Sequence, residues 1–134
     1  MVKKLKRDEQ ECMQDVCSNF INFYYNSLNS KQYSEIFKYI RNFTVISVEN
    51  TVHKGECISN HFKYLQSVDA SFSDITFDAL HSGTRRYNIL VTGNIKFLVN
   101  DQYVQLKFSE YIQCGNDTKT EFWIQMSIFK LLNY

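Results

Sequence analysis

Few side chains in this sequence have the type and spacing for chemistry. Glu110 falls in phase with Phe108 and Ile112, so its carboxyl shares a strand face with apolar side chains. A carboxyl among apolar groups is the usual origin of an acid or base that works near neutral pH. The commoner role for such a residue is at the rim of an interface, and that role is expected here. His53, His61 and His81 fall on a hairpin, a helix and a loop, and no His-Asp or Cys-His constellation accompanies them. Each reads as a surface or capping residue. Asp74 and Asp78 occupy the polar phase of their strand. Cys12, Cys17, Cys57 and Cys114 include no Cys-x-x-Cys pair, and Cys12 and Cys17 do not share a helix face well. The common zinc and dithiol spacings are therefore missing, and reduced, mostly buried thiols are expected. There is no glycine-rich phosphate loop. The expectation is a protein that is not an enzyme, with no metal and no cofactor.

The elements that must position these residues come from one domain's worth of chain. The sequence has 134 residues, 44% of them apolar and 22% charged, with a formal net charge of +1. Such a balance excludes wholesale disorder, and no global field favours nucleic acid or a membrane surface. Residues 1–8 read as a flexible basic tail, from Lys3-Lys4-Leu5-Lys6-Arg7, and residues 9–134 as a single domain. The tail has the composition of a nuclear-localisation element or a salt-sensitive RNA contact, though a solvated end is the simpler reading. No apolar signal-type segment follows it, and no apolar run reaches the ~20 residues of a membrane span. In a nuclear or cytosolic protein the sequons at Asn42 and Asn116 carry no meaning.

Helical periodicity comes first. From Glu9 to Leu28, Met13, Val16, Cys17, Phe20, Ile21, Tyr24 and Leu28 recur at three- and four-residue spacings, which predicts one amphipathic helix. Tyr33, Ile36, Phe37 and Ile40 predict a second over 31–40. Phe43 to Val48 reads as a strand turning at Asn50-Thr51 into Val52 and His53, and a third helix is expected over 56–67. The period then changes to two. Strands are expected around Ile75–Ala79, Tyr87–Val99, Val104–Ile112 and Phe122–Ile128, with residues 81–86 as a loop. Phe122, Ile124, Met126 and Ile128 form the apolar phase of the last, and Gly93 marks a bulge or bend. Helices before long antiparallel strands give an α+β class with a strongly twisted sheet.

The sheet has more rings than one core needs. Eleven Phe, nine Tyr and one Trp make 16% of the chain. Tyr103, Tyr111 and Trp123 occupy the phase opposite the inward apolar sets. The second face of such a sheet is ordinarily polar. Rings there predict a covering partner, where Tyr and Trp bury their faces and keep their polar tips paired.

Specific phrases resemble the nuclear transport factor 2-like family. Asn19-Phe20-Ile21-Asn22-Phe23-Tyr24-Tyr25 resembles its first-helix motif, and Glu49 precedes Gly55 at the family's hairpin-to-helix spacing. Gly93-Asn94-Ile95-Lys96-Phe97, Phe108-Ser109-Glu110-Tyr111-Ile112 and Ile128-Phe129-Lys130-Leu131 resemble its later strands, so the likeness spans about 13–131. It implies a cone: three N-terminal helices packed on a strongly curved, mostly antiparallel sheet. It also implies nucleocytoplasmic transport at the nuclear pore, in nucleus and cytoplasm, with RNA reached only indirectly. One branch is an mRNA-export cofactor that heterodimerises through its sheet with the like-folded domain of a TAP-type receptor. The other is a homodimeric import factor for Ran-GDP that binds Phe-Gly nucleoporins. Glu49 matches the Ran-contacting glutamate, but Leu98 and Asn100 stand where two further carboxylates are expected, and Met13 replaces a tryptophan used with Phe-Gly repeats. These departures favour the export branch. The implied partner interface is Tyr111, Trp123 and Lys130, with Glu110 and Gln125 nearby; Lys130 replaces an arginine and loses its bidentate fork. The same fold hosts isomerases and dehydratases, for which Glu110 inside an open, polar cone is the requirement.

Overall fold

The computed structural model describes residues 2–118 and 121–132, with side chains from Met13 onward. The side chains of the basic run at 3–7 and of Cys12 lie outside the described residues. The elements run α1 (Val2–Asn29), α2 (Tyr33–Phe37), β1 (Ile40–Val48), β2 (Thr51–Lys54), α3 (Cys57–Ser67), β3 (Ser71–Gly83), β4 (Arg86–Val99), β5 (Gln102–Asn116) and β6 (Phe122–Leu131). The six strands form one sheet in the order β2-β1-β6-β5-β4-β3. This is the α+β cone expected from the sequence, with α1 lying across the concave side.

The stripe on α1 does what its spacing requires. Cys17, Phe20, Ile21, Tyr24, Tyr25 and Leu28 are all buried, against inward strand residues such as Ile89, Val91, Phe108 and Ile112. At the C-terminal end of α1, Asn29 donates Nδ2–H to the Phe72 carbonyl (2.8 Å) and accepts the Phe72 N–H (2.7 Å). That reciprocal pair completes two backbone groups of the β3 entry and fixes where the helix leaves the sheet.

Three expectations need correction. The second helix is shorter than periodicity implied, covering only Tyr33–Phe37. Ile40 is already a strand residue opposite Ile124, and the Tyr39 carbonyl accepts the Ile124 N–H at 2.9 Å. A ladder bond to β6 has overridden a short helical pattern. The pairing of β1 with β6 is parallel, and among the described residues it is the one departure from antiparallel order. Residues 81–86 are not a loop: β3 runs to Gly83 and β4 resumes at Arg86, leaving a tight turn with Arg85 at φ 57°.

The third correction concerns β6. Cys114 pairs with Ile124, but Gln113 pairs with Met126, so one extra residue, Gln125, interrupts the register. A one-residue slip sends each following side chain to the opposite face. Phe122 and Ile124 are buried as expected, but beyond the bulge Ser127 and Phe129 are the buried residues, while Met126 and Ile128 turn to the convex face and are half-buried. Near Gly93 the bulge lies in the neighbouring strand, β3, between Ser73 and Thr76. A Cβ on Gly93 would stand 2.8 Å from Ile75 Cδ1 and 2.9 Å from the Ser73 carbonyl, so the glycine admits that bulge.

Gly115 plays a similar part for Trp123, whose Cζ2 would lie 2.2 Å from an added Cβ. Replacing Gly115 by Ala must lift the indole off the sheet. A loss of about 1–3 kcal/mol in stability is expected, typical of overpacking. Urea denaturation measures it, and the fluorescence of this lone tryptophan should shift towards solvent exposure in the folded variant.

Candidate functional site

The cone encloses a cavity of about 250 Å³ between the inner sheet face, α1 and α3. Leu28 and Tyr24 come from α1, His61, Tyr64 and Leu65 from α3, and Phe72, Ile95, Phe97, Phe129 and Leu131 from the strands. Alternation on β4 and β5 places these rings, since Ile95 and Phe97 share a phase with buried Val91, and Phe108 with Glu110 and Ile112.

Glu110 lines this cavity and is only 4% exposed. The expectation of a rim or interface residue is therefore overturned: the strand phase that carries Phe108 and Ile112 inward carries Glu110 with them. Its Oε1 accepts the Tyr25 hydroxyl at 2.5 Å, and its Oε2 accepts the Ser127 hydroxyl at 2.7 Å. Burial pushes the carboxyl pKa above its ordinary value, while the hydrogen bonds from Ser127 and Tyr25 pull the other way. Burial likewise raises the Tyr24 and Tyr25 phenols, reinforced by the charge of Glu110. Ser127 was not singled out in the sequence, because without the bulge it belongs to the outer face.

His61 lines the opposite wall and is buried. Its ring lies 5.1 Å from Phe62 and 5.8 Å from His53, centroid to centroid. Burial, and then the neighbouring His53, lower its pKa to about 4, so it is a neutral imidazole at neutral pH. It is neither the surface nor the capping residue that was expected. Glu49 stands at the exposed rim, in the β1–β2 turn at φ 50°, where its carboxylate accepts the Leu131 N–H. No cluster of three or more metal-ligating side chains occurs among the described residues. Cys17 and Cys114 are buried and free, and burial raises both thiols, Cys17 to about 12, leaving them inert as nucleophiles.

The convex face holds the other candidate surface. Strand register aligns Leu90, Tyr111 and Ile128 in one row across β4, β5 and β6. Asn88, Gln113 and Met126 form the next row, with Leu80 beside Asn88 on β3. Leu80 is 71% exposed and Leu90 49%, whereas Tyr111 is half-buried and accepts a hydrogen bond from Gln113 Nε2 at 3.1 Å. The Asn88 Oδ1 is shielded from solvent and has no hydrogen-bond partner among the described residues. Lys130 is exposed opposite Ser109, and Gln125 is exposed at the bulge. Trp123 is clothed by its own chain: it lies over Gly115, meets Phe43 edge-on at 5.9 Å, carries Arg86 at 5.8 Å and donates Nε1–H to Asp117. The structure thus brings Tyr111 and Lys130 to one face, sets Trp123 at its end and removes Glu110 to the interior. Leu80, Leu90 and Ile128 join that face without having been marked; the alternation of β4 had already placed Leu90 outward.

No family model and no curated protein matches the chain. Solved structures do. Nuclear transport factor 2 (Ntf2) from Cryptosporidium parvum superposes with TM-score 0.71 and 21% identity over 89% of this chain and 94% of that one. The fold is the nuclear transport factor 2-like cone. A candidate scytalone dehydratase from Novosphingobium aromaticivorans shares the cone with TM-score 0.75 and 9% identity, over 95% of this chain and 89% of that one. A ketosteroid isomerase-like protein from Erwinia carotovora atroseptica does so with TM-score 0.69 and 5% identity, over 83% and 89%. At such identities the likeness fixes the architecture, which transport factors and proteins of isomerase and dehydratase type have in common.

The buried imidazole gives the cone a pH signature. His61 in the unfolded chain takes up a proton near pH 6.5, but in the fold only near pH 4. Between those values the unfolded state binds more protons, so acidification draws stability away, by up to about 3 kcal/mol at pH 4. Glu110, with its raised pKa, contributes with the opposite sign. The comparison that isolates His61 is urea denaturation of the wild type and His61→Phe at pH 7 and pH 5. The wild type should lose more stability on acidification than the variant; equal losses would remove His61 as the source.

Proposed function

We propose that the protein is a non-enzymatic nucleocytoplasmic transport module, acting as one half of a sheet-to-sheet dimer. The observation that carries this reading is the row Leu90–Tyr111–Ile128 on the convex face, bordered by the unpartnered oxygen of Asn88. Half-exposed apolar and aromatic side chains at the centre, with Lys130 and Gln125 at the margin, have the make-up of a protein interface.

In its mRNA-export form the partner is the like-folded domain of a TAP-type receptor, and the pair passes the nuclear pore between nucleus and cytoplasm. That form is favoured over Ran import because Leu98 and Asn100 offer no carboxylate and Glu49 already holds the Leu131 N–H. The import form, a homodimer carrying Ran-GDP and meeting Phe-Gly nucleoporins, is supported by Glu49 standing at an exposed rim and by the cone shared with Ntf2. Glu110 inside the cone favours an isomerase or dehydratase instead, although both its oxygens already serve Tyr25 and Ser127.

Sedimentation of the purified chain, alone and coexpressed with the like-folded domain of a TAP-type receptor, separates these readings. A one-to-one heterodimer is expected. Ile128→Glu should weaken it at least about 30-fold, the scale of losing a central hot spot, with unchanged circular dichroism. A stable homodimer would transfer the assignment to the import form. A monomer under both conditions would overturn the transport reading.

A further inference from the structure

Among the described residues, the cavity is lined by two carboxyl groups, Glu49 and Glu110, and by no lysine or arginine. Its one nitrogen base, His61, is neutral. Both oxygens of Glu110 act as acceptors, one for Tyr25 and one for Ser127. A hydroxyl pairs with a carboxyl in either protonation state, so these two bonds leave the charge of Glu110 to be set by what lies beside it. The hydroxyls satisfy both oxygens and supply no positive charge. The ion pairs among the described residues, Lys31–Asp69 and Lys38–Glu35, lie elsewhere on the surface. Burial disfavours the charged form of this carboxyl, and a cation bound beside it offsets that cost. The rest of the lining is apolar and rich in rings, whose π faces attract cations when water is excluded.

We propose that the cone cavity binds a small organic ammonium ion, an alkyl or arylalkyl amine whose charged head lies against Glu110 and whose stem lies among Phe72, Phe97 and Phe129. A volume of about 250 Å³ sits below the ~300–1,000 Å³ of drug-sized pockets and suits on the order of ten non-hydrogen atoms. This inference is independent of the convex face, because the cavity and the row Leu90–Tyr111–Ile128 lie on opposite sides of the sheet. A lysine side chain from a partner protein carries the same chemistry, so the test separates the two sources.

The probes are 2-phenylethylammonium, its neutral isostere 2-phenylethanol, and a blocked Gly-Lys-Gly peptide, titrated against the full chain by NMR. The ammonium ion should bind at least about tenfold more tightly than the alcohol, with ligand contacts to His61 and Phe129 protons. In Glu110→Gln the ratio should fall to about one. The ratio in the wild type stands even where that variant folds poorly. Equal or tighter binding of the alcohol, an unchanged ratio in folded Glu110→Gln, or no binding of any probe would overturn the proposal. Binding of the peptide without the free amine would assign the site to a protein side chain and likewise overturn it.

Discussion

One extra residue in β6 decides what both faces of this sheet can do. Gln125 interrupts the pairing with β5, and everything beyond it on that strand changes sides. Ser127 turns inward to meet the carboxyl of Glu110; Ile128 turns outward to complete the row begun by Leu90 and Tyr111. Had the alternation of Phe122 and Ile124 continued, the cone would receive two more apolar side chains, and the convex face would carry Ser127 and Phe129. The acid in the cavity would then lack one of its two donors. Bulges also sharpen local twist.

The second constraint is the hydroxyl of Tyr25. It joins α1 to the central strand β5 through Glu110, in a place where nearly all other contacts are non-directional. Dispersion and burial fasten the helix to the sheet, but they tolerate small slides of one past the other. A short hydrogen bond to a buried carboxyl tolerates far less, so it fixes the register of α1 over the cone. Asn29 does the same at the C-terminal end of the helix by its paired bonds to Phe72. Between these two points the cavity has walls whose spacing is set by polar geometry.

Much of this architecture was legible in the residues. The stripe on α1, the long alternating strands and the order of helices before sheet pointed to the α+β class, because those patterns report burial directly, and the family resemblance implied the cone. The excess of rings suggested a second apolar surface, and Tyr111 lies on the convex face beside Leu90 and Ile128. What escaped was anything governed by register. Nothing local in Trp123-Ile124-Gln125-Met126-Ser127 announces a bulge, since its cause is pairing with two other strands. The same holds for Ile40, whose helical spacing yielded to a ladder bond from Ile124. Glu110 was read by residue type, which favours a rim, while its phase with Phe108 and Ile112 already pointed inward. His61 was missed for the same reason: on α3 it shares a buried face with Ile58, Phe62 and Leu65, and burial there outweighs the usual preference of histidine for the surface.

The two candidate surfaces stand in an unequal relation to the fold. The convex row costs the monomer little, since Leu80 and Leu90 merely face water and scattered apolar exposure is ordinary. Asn88 is the exception, because its shielded oxygen lacks a donor whether or not a ligand fills the cone. The buried carboxyl, by contrast, sits inside the monomer and depends on Tyr25 and Ser127 from two other elements. Covering the convex face leaves that arrangement untouched, while moving α1 would break it. A partner on the sheet and an occupant of the cone are therefore separable in energy. Coupling between them would need α1 to shift, and the bond from Tyr25 to Glu110 resists that motion.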